Sequence, residues 1–320
     1  MEMQIDRNEL LARVASLYYE DGQTQQEISL NLGYSRSSIS RMLTEARQEG
    51  IVEIHVHHPL ERNFALEQGL QAEFGLCEVR VLQSGGLPYP QMLHRLGGLA
   101  GRLLAQNIRE HSVLGISWGT ALYEVANSLQ SMHAPGVKVV QLIGSATSRD
   151  HQVDGPGLAN AFARQFGAQY FMLPAPWLVE DREIRDALMK DRRMREVLDL
   201  ARQAEIALVG IGSVDPSLSS LVRAGYLTEN EVGDIQAIGA VGDVCGLHFD
   251  IHGNLMDIPL AGYAFGIEAE TLRSIPLVIG VAGGIVKAPA ILGALRSRLV
   301  NSLVTDDGAA REILEREKDS

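Results

Sequence analysis

Val278-Ile279-Gly280-Val281-Ala282 contains no polar side chain, and neither does Ile206-Ala207-Leu208-Val209. A strand with one wet face alternates apolar and polar residues, so unbroken apolar runs belong to a parallel sheet covered on both faces. Short runs rich in β-forming residues recur at 77–82, 112–117, 137–143, 169–173, 205–211, 239–249, 277–282 and 301–305. Helical patterns fit between most of them, for instance at 91–109, 119–130, 156–166, 191–203 and 287–299. Strand and helix in alternation predict an α/β fold with a doubly wound sheet from about residue 76 onward.

At 320 residues, the chain has room for two domains. Its net charge of −12 argues against a protein that coats nucleic acid indiscriminately. Cys77 and Cys245 are the only cysteines and form no CxxC pair, which removes a disulfide framework and a cysteine zinc site. Residues 1–7 lack the basic-then-apolar layout of a signal peptide. The longest nearly apolar stretch, 276–286, is about half of the ~20 residues a spanning helix needs. A cytoplasmic protein with no membrane partner is the expectation.

Residues 7–49 read as three helices. Asp6 and Glu9 have capping-box spacing, and Leu10, Val14, Leu17 and Tyr18 follow on one face. Thr24 and Glu27 form a second capping box, with Ile28 and Leu32 inward. Gly33 makes a turn, and Ser35 caps a third helix that buries Ile39, Met42 and Leu43. Counted from Gln25, Gly33 is ninth and Ile39 fifteenth, the slots where a helix-turn-helix needs a glycine turn and a buried branched residue. Ser29 stands fifth, where a small apolar residue is usual. Thr24, Gln25, Ser35, Arg36, Ser37, Ser38, Ser40 and Arg41 are the candidate DNA contacts. Residues 34–47 are locally basic, with Arg36, Arg41 and Arg47 against Glu45. So few cations imply site-specific binding with few phosphate contacts per subunit, and hence a dimer or larger assembly.

After Gly50 the period changes. Val52, Ile54 and Val56 alternate with Glu53, His55 and His57, which predicts a strand at the edge of a small wing. His55, His57 and His58 have no carboxylate or cysteine at ligand spacing, so no metal is expected there. The domains are placed at 1–58, a winged-type helix-turn-helix head, and 59–320, an effector and oligomerisation domain.

Ligands of parallel sheets sit beyond the carboxyl ends of the strands. Gly115-Ile116-Ser117-Trp118-Gly119-Thr120 follows one run and opens a helix, so its amides and hydroxyls suit an anion. Gly144-Ser145-Ala146-Thr147, Gly210-Ile211-Gly212-Ser213 and Gly283-Gly284 occupy comparable ends. Asp243 and Lys287 stand in apolar or glycine-rich runs. They read either as a buried pair or as a carboxylate for ligand hydroxyls and an ammonium for an anionic group. His248, Asp250 and His252 alternate but run into a Gly253-Asn254 turn, so a metal is not assigned to them. GxxxxGK[ST] and HExxH are absent. No cofactor is expected.

Gly115–Leu122 (GISWGTAL), Gly239–Asp250 (GAVGDVCGLHFD), Val281–Lys287 (VAGGIVK) and Asn301–Asp306 (NSLVTD) stand in that order behind the helical head. On these pieces the chain resembles the SorC/DeoR-type family of sugar-responsive transcriptional regulators, over nearly its whole length. The resemblance implies an effector domain similar to the phosphosugar-isomerase and CoA-transferase fold. It also implies a homo-oligomer, a dimer of dimers, that binds palindromic operator DNA and responds to a phosphorylated sugar. The implied effector contacts are Ser117, Trp118, Gly119, Thr120, Gly144, Leu158, Asn160, Arg223, Asp243, Gly283, Gly284 and Lys287. A rival reading is a sugar-phosphate isomerase or lactonase-like enzyme, with Lys287 as Schiff-base lysine and Asp243 as general base. An enzyme would have no need of the leading 58 residues.

Overall fold

Apolar runs that alternate with amphipathic helices have one economical arrangement, a parallel sheet with helices on both faces. The computed structural model, which describes residues 7–52, 60–145, 155–258 and 260–318, has it. The chain divides into two compact units, Met1–Pro59 and Leu60–Ser320.

The first unit holds α1 (Arg7–Tyr19), α2 (Gln25–Leu32) and α3 (Arg36–Gln48). Thr24 caps α2 in a full capping box: its N–H donates to Glu27 Oε2 at 2.8 Å, and Glu27 N–H donates to Thr24 Oγ1 at 3.3 Å. Gly33 ends α2 with φ 73, a conformation that glycine adopts at no steric cost. Ser35 caps α3 by accepting from Ser38 N–H at 3.1 Å. Leu11, Val14, Ala15, Ile28, Ile39, Met42, Leu43 and Ala46 form the core of this unit. The phase of α1 thus differs from expectation: Leu11 and Ala15 take the centre beside Val14, while Leu10, Leu17 and Tyr18 pack at the rim. Ser29 Oγ donates to Tyr34 O at 2.6 Å, so the serine in the fifth slot ties the turn together instead of filling the core. The expected cap at Asp6, the wing strand and His55, His57 and His58 lie outside the described residues.

The second unit runs α4 (Phe64–Phe74), β1 (Glu78–Leu82), α5 (Tyr89–Asn107), β2 (Val113–Ile116), α6 (Thr120–Ser128), β3 (Lys138–Gln141), α7 (Gly155–Phe166), β4 (Gln169–Phe171), α8 (Arg182–Met189) and α9 (Arg192–Ala201). It continues with β5 (Ile206–Gly210), β6 (Gly212–Ser213), α10 (Ser220–Arg223), α11 (Glu229–Ala237), β7 (Ala240–Val244), β8 (Leu247–Asp250), α12 (Ala269–Ser274), β9 (Leu277–Val281), α13 (Ala288–Arg296), β10 (Ser302–Asp306) and α14 (Asp307–Lys318). Seven strands make one parallel sheet in the order β1-β10-β9-β5-β2-β3-β4. The side chains of α5, α6 and α7 share one hydrophobic cluster with one sheet face, while α13 and α14 belong to the cluster on the other. From β2 the chain winds outward through β3 to β4. It then returns to β5 and winds the opposite way through β9 to β10, which lies beside β1, so direction reverses between β2 and β5.

One expected strand is corrected. Residues 239–249 form two strands, β7 and β8, paired antiparallel in a separate three-stranded sheet with β6. The chain folds back at Cys245 and Gly246, both at positive φ. Helices α4, α8, α10, α11, α12 and α14 lie outside the spans given above.

Gly97 lets α5 and α6 touch: a Cβ there would lie 2.5 Å from the backbone carbonyl carbon of Glu124. At Gly98 the nearest atom to such a Cβ is Leu60 Cδ1 at 3.4 Å, an ordinary contact. Gly97→Ala should therefore lose about 1–3 kcal/mol in urea unfolding, as overpacked positions do. Gly98→Ala should lose nothing and gain up to about 1 kcal/mol from helix propensity. Equal effects at the two sites would contradict this packing.

A crevice at the strand reversal and an exposed recognition helix

Where neighbouring connections leave a parallel sheet in opposite directions, no helix covers the strand ends and a crevice opens. Between β2 and β5 the protein has an open crevice. Ser117 stitches the two strands together at its floor. Its N–H donates to Leu208 O at 3.2 Å, and its Oγ accepts from Gly210 N–H at 3.2 Å. Gly119 follows at φ 132, and no side chain caps α6, which starts at Thr120. A helix leaves its first N–H groups without intrahelical partners, and these carry the positive end of its dipole. Ser117, Trp118, Gly119 and Thr120 all line the crevice.

Arg223, Asp243 and Lys287 converge on it from three other segments. Lys287 ends a 3-10 turn, Ile285–Lys287, and its Nζ donates to Ile211 O at 3.0 Å. Asp243 Oδ2 accepts from Gly246 N–H at 3.0 Å. No ion pair joins Asp243 to Lys287, so they are not the closed buried pair that was one of the two expectations. Burial, with the Arg223 charge adding to it and the Asp243 charge opposing, pulls the Lys287 ammonium down to about 8. Asp243 is the one carboxylate among the described residues that line the crevice. An anion entering there meets a helix N-terminus, a guanidinium and an ammonium.

Gly115–Gly119 also has the GxSxG spacing of a strand-to-helix nucleophile elbow. A serine there needs a neighbouring base to attack a carbonyl. Among the described residues that line the crevice there is no histidine, so the loop is not assembled for that chemistry.

Five implied contacts stand outside the crevice wall. Leu158 is fully buried in the α5–α6–α7 cluster, where its place beside Ala159 and Phe162 makes it core, a correction to its expected role. Asn160 is half-buried on α7. Gly144 donates to Phe265 O at 2.9 Å and accepts from Trp118 Nε1 at 3.2 Å, so it positions Trp118. Gly283 and Gly284 shape the turn that carries Lys287: Gly284 N–H donates to Asp306 Oδ1 at 2.5 Å, and a Cβ on Gly283 would meet that oxygen at 2.9 Å. Sequence reasoning passed over Trp177 and Cys245, which do line the crevice. Burial and the Asp243 charge push the Cys245 thiol up, which keeps it neutral. Asp250 accepts from His252 N–H, Asn254 N–H and Asn254 Nδ2, so it closes a turn beside His248 and His252.

In the first unit, Arg36, Ser37, Ser40 and Arg41 are exposed on α3, and Ser38 is half-buried. Thr24 and Ser35 are the two caps, and Gln25 opens α2. The α3 acidic residue, Glu45, is paired with Arg7 of α1, which leaves the arginines of α3 facing outward.

A family model described as "Putative sugar-binding domain" matches residues 58–315. The chain belongs to the SorC family of sugar-binding transcriptional regulators. The family assignment agrees with relatives along the full length. The deoxyribonucleoside regulator of Bacillus subtilis (strain 168) is 32% identical over 313 residues, 98% of this chain and 99% of its own. The transcriptional regulator LsrR of Enterobacter sp. (strain 638) is 34% identical over 313 residues, covering 97% of this chain and 94% of its own. The crystal structure of the full-length sorbitol operon regulator SorC from Klebsiella pneumoniae matches with a TM-score of 0.75 at 32% identity, over 97% of this chain and 99% of that one. These SorC-family relatives are named as regulators and not as enzymes. No helix among the described residues is long and apolar enough to cross a membrane.

The lowered Lys287 value fixes a pH dependence. Below about 8 the amine is charged both folded and unfolded, and the fold bears the full cost of holding that charge in the crevice. Between 8 and 10.5 the unfolded chain binds more protons than the folded one, so stability rises with pH. The wild type should gain stability over Lys287→Met as pH is raised from 7 to 10, measured by urea unfolding. An unchanged difference would show that the amine is not desolvated.

Proposed function

We propose that the chain is a DNA-binding transcriptional regulator of a carbohydrate-utilisation operon, with a phosphorylated sugar bound in the β2–β5 crevice as its effector. The observation that carries this is the meeting, at one strand reversal, of the uncapped α6 N-terminus with Lys287, Arg223 and Asp243. In a chain of net charge −12, three positive features collected around one carboxylate fit a ligand with an anionic end and a hydroxylated body. The phosphate lies against Ser117, Gly119 and Thr120, and Asp243 accepts from sugar hydroxyls.

The head enters the major groove through α3. Arg36 and Arg41 are exposed on its leading turns and reach bases and phosphates, with Thr24, Gln25, Ser35, Ser37, Ser38 and Ser40 around them. Few cations per head call for several heads per operator, so the protein acts as a homo-oligomer, a dimer of dimers, on a palindromic site. Successive heads must then be spaced about 34–36 Å apart, or a multiple of that. Effector binding acts by favouring an arrangement of effector domains with a different head spacing, with a coupling of about 1–3 kcal/mol.

Arg36→Ala should weaken operator binding by about 1–3 kcal/mol in gel-shift titrations, the loss of a base-reading contact. Unchanged affinity would remove Arg36 from the interface. Thr120→Val should abolish the transcriptional response to the sugar phosphate in a reporter assay while operator binding stays at the wild-type level. A normal response would move the phosphate to another part of the crevice.

A further inference from the structure

Trp177 walls the crevice and carries a group that nothing in the fold uses. Its side chain is 1% exposed, and its Nε1–H has no hydrogen-bond partner. A buried indole N–H usually has one, because an unpaired buried donor gives up its water without replacement. Looseness does not explain the orphan. The ring meets Tyr226 edge-on at 5.1 Å and Trp118 at 6.2 Å, and Tyr226 Oη donates to Ser145 O at 2.8 Å. The backbone of Trp177 is fixed on both sides, by its N–H to Ser145 O and by Phe265 N–H to its own carbonyl.

The orphan edge of the ring lies against the Cys245–Gly246 turn. A Cβ on Gly246 would stand 2.9 Å from Trp177 Nε1. This turn joins β7 to β8 through two residues at positive φ, 54 at Cys245 and 78 at Gly246, a hairpin geometry normally filled by Asn-Gly. A non-glycine residue is disfavoured in that conformation, so the turn has strain to release if it shifts. Gly246 N–H is also the donor to Asp243 Oδ2. One short, strained turn therefore separates the crevice's carboxylate from a donor that has no acceptor. A hydroxyl is donor and acceptor at once, and can give its proton to Asp243 while it accepts from Trp177.

We infer that Trp177 is a specificity-determining residue: its indole N–H donates to the same sugar oxygen that donates to Asp243, once the Cys245–Gly246 turn has shifted aside. The inference rests on the crevice being a sugar-phosphate site. It assigns the phosphate to the α6 end and hydroxyl selection to the wall formed by Trp177.

The test is calorimetric titration of the full-length wild type, Trp177→Phe and Thr120→Val with ribose 5-phosphate, glucose 6-phosphate, fructose 6-phosphate and inorganic phosphate. Trp177→Phe keeps the ring and loses the donor. It should weaken the tightest-binding of the three sugar phosphates about two- to tenfold, the worth of one hydrogen bond, and leave inorganic phosphate unchanged. Thr120→Val should weaken both classes. If Trp177→Phe binds the sugar phosphates like wild type while Thr120→Val does not, the inference is overturned and the crevice reading survives. If no sugar phosphate binds the wild type more tightly than inorganic phosphate does, both fall. A second readout needs no folded variant at the site of interest. The chain has two tryptophans, hence two indole N–H resonances. The Trp177 indole proton should move downfield with the sugar phosphate and stay in place with inorganic phosphate, and a resonance unmoved by both would refute the contact.

Discussion

Everything distinctive about the larger unit follows from the adjacency of β2 and β5. These strands are neighbours in the sheet but not in sequence, and the chain leaves them in opposite directions. The Ser117 backbone and hydroxyl bridge them where their connections part. Helices can cover the two faces of such a sheet but not the gap at its reversal point, so the crevice is a consequence of winding order. The same geometry delivers a helix N-terminus to the gap, because α6 begins four residues after β2 ends.

Charge then gives the gap its character. Across the chain acidic residues outnumber basic ones, 40 to 28, yet the crevice reverses that sign locally. Lys287 is the clearest case. Its ammonium is held by a backbone carbonyl and not by a carboxylate, and burial lowers its proton affinity. An anion placed beside an amine in that state would restore its proton affinity. Asp243 has one oxygen committed to the Gly246 amide. The proposed function thus divides the crevice between recognition of charge and recognition of hydroxyls. On that proposal inorganic phosphate satisfies only the first half, and the sugar part of the effector is what the site discriminates.

Much of this architecture was legible because it is encoded locally. Unbroken apolar runs marked the parallel strands, the Thr24–Glu27 pair marked the start of α2, and Gly33 and Ser35 marked the turn into α3. What escaped was encoded by long-range contact or by helix phase. The β7–β8 hairpin carries Cys245 at a position where an asparagine would have announced the turn, so the two strands read as one. Trp177 sits on an irregular stretch between β4 and α8, with no period to betray which way it points, and only the packing of Tyr226 and Trp118 aims it. Leu158 shows the opposite failure. Resemblance placed it near the ligand, while the apolar stripe of Leu158, Ala159, Phe162, Ala163 and Phe166 turns it into the core. The GxSxG spacing of the α6 loop is a reminder that a motif needs its partners: without a base nearby, the serine serves the backbone.

In the proposed function a ligand in the crevice and DNA at the head are linked. Binding linkage is reciprocal, so the factor by which a sugar phosphate changes operator affinity must equal the factor by which operator DNA changes sugar-phosphate affinity. Both can be measured on the full-length protein by titrating each partner in the presence and absence of the other. Such linkage gives a shared factor of about 5–150-fold, the range of ordinary allosteric coupling. Sugar-phosphate affinity that stays the same with and without saturating operator DNA would contradict it.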